Sequence, residues 1–355
     1  MEVSEILIKW YHSNKRDLPW RKALSAYNTW LSEVILQQTR VNQGLKYYNR
    51  FVQKYPKVED LADAPLDEVL KLWQGLGYYT RARNMHETAR VITHEYKGVF
   101  PSTYKELLIL RGIGTYSAAA IASIAFNEPV ALVDGNVFRV ISRLYGITTP
   151  IDTAAGKAAF NRLAADLLNK EDPGTHNQAI MEFGSLVCTP RNPLCDSCVL
   201  VSSCRAKALG IAETLPVKES RVKIRTRYFY YLFVHTDNMI VLHKRAGNDI
   251  WNSLYEFPLI EKDGPAILKN LVAEEPWKDY ACGKEISPAG HRVYKHKLTH
   301  QLLHCSFYTV EPEPDCQPSN PEFIVVPLQK LKNYPVPRVI DRYLNDLRVE
   351  GVLTD

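Results

Sequence analysis

The chain has 355 residues, 46% of them hydrophobic and 23% charged, with a formal net charge of +5. Those values describe an ordinary soluble protein long enough for two domains, and they exclude a low-complexity chain or a secreted disulfide scaffold. The first residues, Met1 to Glu5, carry acids where a signal peptide carries bases, and the small-apolar run around Ala118–Phe126 is too short to span a bilayer. A cytoplasmic protein without membrane contact is expected.

Residues 1–210 read as helices. Apolar residues recur at helical spacing in Ile6–Tyr11, Trp30–Gln38, Val69–Trp73, Arg83–Ile92, Tyr104–Leu110, Ala118–Phe126 and Phe160–Leu168, and Ser102 and Asp152 mark helix starts. No β alternation of useful length occurs there. Within this region Trp30-Leu31-Ser32-Glu33-Val34-Ile35-Leu36-Gln37-Gln38-Thr39 places a carboxylate, Glu33, on a helix face shared with Trp30. Alone, such a glutamate is more often a solvated surface residue.

Leu110-Arg111-Gly112-Ile113-Gly114 then separates two helical segments. Gly112 and Gly114 permit a tight helix-to-helix turn that opens a helix N-terminus, a place suited to a phosphate or other anion. A plain helical hairpin would use the same residues. Further on, Val133-Asp134-Gly135-Asn136-Val137 sets Asp134 in a turn at the end of an apolar segment. The last feature of the region is Cys188, Cys195, Cys198 and Cys204, spaced C-x6-C-x2-C-x5-C. Four closely spaced thiolates can hold a [4Fe–4S] cluster. Zinc or a disulfide knot are the alternatives, although zinc ribbons usually show two separated C-x2-C pairs. Cys282, Cys305 and Cys316 are scattered.

Residues 211–227 form a connector in which Lys218, Arg221, Lys223, Arg225 and Arg227 either follow a phosphate backbone or solvate a linker. From residue 228 to 355 the pattern is α+β. Strands are expected at Tyr228–His235, Met239–His243, His300–Val310 and Glu322–Val326, a turn at Asp237-Asn238, and helices near Pro265–Ala273 and Val339–Leu347.

The cysteine spacing, the hairpin and Asp134 together resemble the endonuclease III-like helix–hairpin–helix superfamily of DNA glycosylases. The run around Glu33, with Asp17-Leu18-Pro19-Trp20-Arg21 and Gly75-Leu76-Gly77-Tyr78-Tyr79, is similar to its adenine-specific MutY family. The resemblance implies an all-α helix–hairpin–helix domain with an iron–sulfur cluster loop over 1–210, and a Nudix-like domain over 228–355. It implies a monomer that binds double-stranded DNA containing A:8-oxoguanine or A:G mispairs and excises the adenine. Glu33 would protonate adenine, an ionised Asp134 would stabilise the sugar cation, and Tyr116 and Asn136 would hydrogen-bond around them. Gln38 and Tyr78 would enter the base stack, and Arg16, Leu18 and Arg21 would line the adenine pocket.

Lyase relatives carry a lysine in the helix after the hairpin; Tyr116 occupies that place, and no lysine lies between Lys105 and Lys157. A tyrosine cannot form the imine, so hydrolysis leaving an abasic site is expected. Trp251-Asn252-Ser253-Leu254-Tyr255-Glu256-Phe257-Pro258 resembles a stretch of the family's lesion-reading domain, and the Glu-rich box of active Nudix hydrolases does not follow it. Leu298, Thr299 and His300 stand at the family's lesion-recognition loop, with Leu298 replacing its aromatic. Two other readings stay open: a bifunctional glycosylase/lyase for oxidised bases, and a non-catalytic iron–sulfur DNA-binding or electron-transfer protein.

Overall fold

The computed structural model describes residues 2–22, 24–219, 223–236, 238–278, 287–310 and 320–353. Arg221, Asp237, Cys282 and Cys316 lie outside the described residues. No described helix is long and apolar enough to cross a membrane. The chain divides into two compact units, Met1–Asp63 with Asn84–Arg221, and Ala64–Arg83 with Val222–Asp355. The division differs from the sequence expectation, because residues 64–83 belong to the second unit.

In chain order the helices are α1 (Val3–Asn14), α2 (Pro19–Lys22), α3 (Ala26–Leu36), α4 (Val41–Lys54), α5 (Val58–Asp63), α6 (Leu66–Trp73), α7 (Thr80–Glu95), α8 (Tyr104–Leu107), α9 (Thr115–Phe126), α10 (Gly135–Tyr145), α11 (Ala154–Leu167), α12 (Pro173–Leu186) and α13 (Arg205–Ala208). The starts of α8 and α11 are capped one residue later than the sequence indicated. Thr103 forms a capping box with Glu106, and the Thr153 hydroxyl accepts from Gly156 N. Helix α9 is lined with small residues and buried from Ser117 through Ser123, so α3 and α12 can pack close against it. The core beneath gathers Leu7, Leu132, Val140, Ile141, Phe160 and Phe183. Gly184 on α12 faces Asn136 on α10; a Cβ there would lie 2.7 Å from the Asn136 Cβ, so only glycine permits this approach.

The second unit is built on two sheets. Strands β1 (Arg225–Val234), β2 (Met239–Lys244), β3 (Tyr255–Glu256), β4 (Leu259–Lys262), β5 (Ser287–Lys297), β6 (Gln301–Val310) and β7 (Phe323–Pro327) order as β4-β1-β6-β5 and β3-β2-β7. β1 and β6 run parallel, the other pairs antiparallel. β1 is buried on both faces, which explains its unbroken Tyr230–Val234 run. On one face Tyr231 and Phe233 meet Phe257, Phe307 and Tyr343, the last on α15 (Arg338–Val349) after the short α14 (Leu268–Leu271), and Phe229 meets Tyr231 and Trp251. On the other, Tyr230, Leu232 and Val234 pack with Trp277 and Leu271. Segment 64–83 is fastened within this unit: Asp67 accepts from Lys244 Nζ and Tyr255 Oη, Lys71 Nζ donates to Tyr334 O, and Gln74 donates to Asp341.

The connector also departs from expectation. Arg225 and Arg227 belong to β1, and the Arg227 side chain is buried rather than solvated.

Candidate active site

Two carboxylates from different helices meet in one cavity of the first unit. α3 is buried almost throughout from Tyr27 to Ile35, and this takes Glu33 inside with it, 8% exposed. Asp134 is the N-cap of α10. Its Oδ1 accepts from the backbone N–H groups of Asn136 and Val137, each at 2.8 Å, and its Oδ2 accepts from Asn136 Nδ2 at 2.7 Å. Asn136 is held in turn, since its Oδ1 accepts from Arg139 Nη2 at 2.8 Å. Tyr116, near the start of α9, is hydrogen-bonded to the Glu33 carboxyl and lies 3.6 Å from Met181 Sδ.

Burial shifts the two acids in the same direction. It pushes Glu33 up from the ordinary 4.5 to about 7; Tyr116 and Arg21 oppose the rise and the Asp134 charge adds to it. Asp134 also rises through burial, although three hydrogen bonds and Arg139 oppose this. Its net shift is upward from the ordinary carboxylate value, and the hydrogen bonds that favour its ionised form limit that rise.

The cavity, about 220 Å³, is lined by Arg16, Leu18, Arg21, Glu33, Tyr116, Asp134 and Asn136 among others, so seven of the expected residues come together. Sequence reasoning missed Glu182 on α12, which organises one wall. Its carboxylate accepts from Arg16 N, Nε and Nη2 at 2.9, 2.8 and 2.5 Å, and from Arg21 Nη1 and Nη2 at 3.0 and 2.8 Å. Burial alone would raise it, but the arginines outweigh that and bring Glu182 down to about 2. The available signal was one acid set between Met181 and Phe183, directly after the apolar stretch Ala179-Ile180-Met181.

The hairpin lies where it was expected. Gly112 has φ 77°, and a Cβ would come within 2.6 Å of the Asn84 Cβ, so the turn requires glycine there twice over. Gly114 caps α9 in an extended conformation and faces open space. Gln38 lies exposed with φ 57° just beyond α3, whose end is tied to α9 by Gln37 Nε2 donating to Ser117 Oγ at 3.1 Å.

Cys188, Cys195, Cys198 and Cys204 are free and half-buried along the loop from α12 to α13. Arg143 touches two of them: its Nη1 donates to Cys188 Sγ at 3.4 Å, and its carbonyl accepts from Cys204 Sγ at 3.5 Å. Burial raises the Cys188 thiol and takes Cys198 to about 11, and the neighbouring cysteines push both the same way. Among the described residues, no three His, Cys, Asp or Glu side chains converge as a single-ion site.

In the second unit, Leu298, Thr299 and His300 form the tip of the β5–β6 hairpin, closed by Leu298 N donating to Gln301 O at 2.8 Å. They line a pocket of about 320 Å³ with Tyr78, Arg83, Ile250 and Trp251. Tyr78, half-exposed at φ 49°, shares a hydrogen bond between its hydroxyl and Thr299 Oγ1. The residue expected in the base stack thus stands beside the expected lesion-reading residues.

Comparison with known proteins agrees with this architecture. Residues 31–165 match the HhH-GPD superfamily of base excision DNA repair proteins, and residues 229–346 match the NUDIX domain. The adenine DNA glycosylase of Buchnera aphidicola subsp. Baizongia pistaciae is 34% identical over 307 residues, covering 84% of this chain and 83% of that protein. The Mus musculus adenine DNA glycosylase is 47% identical over 210 residues, 56% of this chain and 41% of the mouse protein. Among solved structures, a thermostable thymine-DNA glycosylase is similar with TM-score 0.54 and 30% identity, covering 58% of this chain and 95% of that one. A non-covalent endonuclease III–DNA complex shares the fold at TM-score 0.50 and 24% identity, over 59% of this chain and 94% of the other. By sequence, domain pairing and fold, the chain belongs to the adenine DNA glycosylases, the N-glycosylases that remove adenine from DNA in base excision repair.

Proposed function

We propose that excision here is purely hydrolytic, acts on adenine paired with 8-oxoguanine or guanine, and leaves an abasic site. The observation that carries this reading is a buried Glu33, raised to about 7, in the same cavity as Asp134. At neutral pH a substantial share of Glu33 is then a carboxylic acid able to give its proton to adenine, which makes the purine a better leaving group. The N-glycosidic bond breaks with its electron pair going to the base. Asp134, fixed by its three donors, places negative charge against the cation left on the sugar. Water completes the sugar and gives a proton back to Glu33. Tyr116 holds the Glu33 carboxyl, and the Glu182 clamp sets Arg16 and Arg21 along the wall that receives the base. Among the described residues no lysine lines the cavity, which supports a reaction without an imine.

The adenine must leave the duplex to arrive there, at a cost of a few kcal/mol that is least at a mispair. Gln38 and Tyr78 are the side chains proposed to take its place in the stack, and the Gly112–Gly114 turn is proposed to hold the backbone phosphate. Reading of the opposite base is assigned to Thr299 and His300. The 8-oxoguanine N7–H donates, whereas guanine N7 only accepts. A Thr299 hydroxyl that donates to Tyr78 retains lone pairs for the lesion and leaves guanine N7 unsatisfied. Leu298 contributes apolar contact without a stacking ring. The protein is proposed to act as a monomer in the cytoplasm.

Cys188, Cys195, Cys198 and Cys204 are proposed to hold a [4Fe–4S] cluster. The donor set fits: four free thiols on one loop, each able to serve a different iron, with the burial that raises Cys188 and Cys198 open to relief by a cationic centre. Such a cluster would fasten the loop to α10 through Arg143.

Borohydride treatment of full-length protein during turnover on an adenine-containing duplex tests the hydrolytic assignment. No adduct beyond background is expected; a stoichiometric covalent adduct with spontaneous nicking would restore the lyase reading. Purified protein is expected to carry about four irons per chain; one zinc and no iron would refute the cluster.

A further inference from the structure

The buried guanidinium of Arg227 joins the two sides of the pocket in the second unit. Arg227 is 4% exposed, and all five of its N–H donors are engaged. Nε donates to Glu261 Oε1 at 2.6 Å and Nη2 to Glu261 Oε2 at 2.7 Å. Nη2 and Nη1 also donate to Asp249 Oδ2 and Oδ1 at 2.5 and 3.0 Å. The fifth bond runs from Nη1 to Gln301 Oε1 at 2.9 Å, the one neutral acceptor of the set.

Two of those three acceptors, Gln301 and Asp249, hold something further. Gln301 closes the Leu298–His300 hairpin through its own carbonyl, while Arg225 N of the neighbouring strand donates to His300 O at 2.9 Å. Asp249 begins the turn that carries Ile250 and Trp251, and Arg245 braces that turn by donating to Asp249 Oδ2 at 2.7 Å and to Ile250 O at 2.9 Å. One planar, fully satisfied cation therefore sets the spacing between the hairpin bearing Thr299 and the turn bearing Trp251. A planar fork with a fixed donor geometry transmits position in a way that a lysine ammonium does not.

We propose that Arg227, acting through Gln301, is a positioning residue for recognition of the base opposite the adenine. The inference rests on the reading that Thr299 and His300 recognise that base. Arg227 touches no substrate; it fixes where the hairpin tip stands.

The test is a set of full-length variants scored by single-turnover excision on A:8-oxoguanine and A:G duplexes, with Tm measured alongside. Arg227→Met would strand two carboxylates and can fail to fold, so Gln301→Leu is the primary probe: it removes the neutral acceptor and leaves the ion pairs intact. The ratio of the two rates is expected to fall about 3- to 10-fold in Gln301→Leu, the range of one net hydrogen bond, with little change in Tm. Gln301→Glu, which keeps an acceptor at the same reach, is expected to restore most of the ratio. An unchanged ratio in Gln301→Leu, or equal slowing of both substrates, would overturn the proposal. Thr299→Ala/His300→Ala serves as the benchmark. If it lowers the ratio and Gln301→Leu does not, the positioning role fails and the pocket assignment stands. If neither lowers it, the pocket assignment itself has failed.

Discussion

In the proposed mechanism Glu33 and Asp134, both carboxylic acids, take two different tasks from their surroundings. Glu33 is carried inside by an apolar helix, and burial outweighs its one opposing hydroxyl partner, so a substantial share of it is neutral at pH 7. Asp134 caps a helix and receives three N–H donors, which orient a charged carboxylate even though burial raises it. Glu33→Gln keeps size and the Tyr116 contact but removes the proton, and excision measured by single turnover should fall by about 10²–10⁴ with DNA binding retained. Asp134→Asn should cost about 10²–10³, the usual effect of losing one stabilising charge. pH gives a second handle. The proposed mechanism needs protonated Glu33, so the single-turnover rate should decline as pH rises through about 7. The same raised pKa means that Glu33 contributes stability that is complete below about 4.5 and is lost as pH climbs to about 7. That loss is on the order of 3 kcal/mol by the usual conversion, and Glu33→Gln should flatten it in denaturant titrations across that window.

Among the elements, the hairpin was legible because its glycines answer a backbone demand. Gly112→Ala would place a Cβ against Asn84 at φ 77°, and it should lower stability by about 1–2 kcal/mol and weaken DNA binding in a filter or anisotropy assay. Unaltered Tm and affinity would contradict the geometry. Strongly apolar elements such as α9, β1 and β6 could likewise be read from pattern. Others could not. α4 (Val41–Lys54) and α12 (Pro173–Leu186) are rich in polar residues and glycine, and their helicity comes from packing rather than propensity. α10 opens on Gly135-Asn136, which reads as a turn until Asp134 is recognised as the cap. β5 begins Ser-Pro-Ala-Gly and alternates charged residues, the composition of a sheet edge, and it escaped notice for that reason. Arg227 looked like part of a basic connector because charge patterns in sequence do not reveal which guanidinium turns inward. Glu182 was missed similarly, its two arginine partners being more than 160 residues away.

At the scale of the whole molecule, the residues proposed for the chemistry and those proposed to read the partner base are divided between the units. The acids, the hairpin and the four cysteines all belong to the first unit, while Tyr78, Thr299 and Trp251 belong to the second. Segment 64–83 lies in the second unit through Asp67, Lys71 and Gln74, so a truncation before residue 229 would remove their partners and not yield a clean catalytic fragment. Specificity is better probed in the full chain. The central claim is that this protein hydrolyses adenine from its mispair and stops. Single-turnover incubation of the full-length protein with duplexes carrying A opposite 8-oxoguanine, A opposite G, or thymine glycol, scored with and without alkali, tests it most directly. The account predicts strand breaks only after alkali, faster reaction opposite 8-oxoguanine than opposite G, and none at thymine glycol. Alkali-independent nicking, or cleavage at thymine glycol, would contradict it.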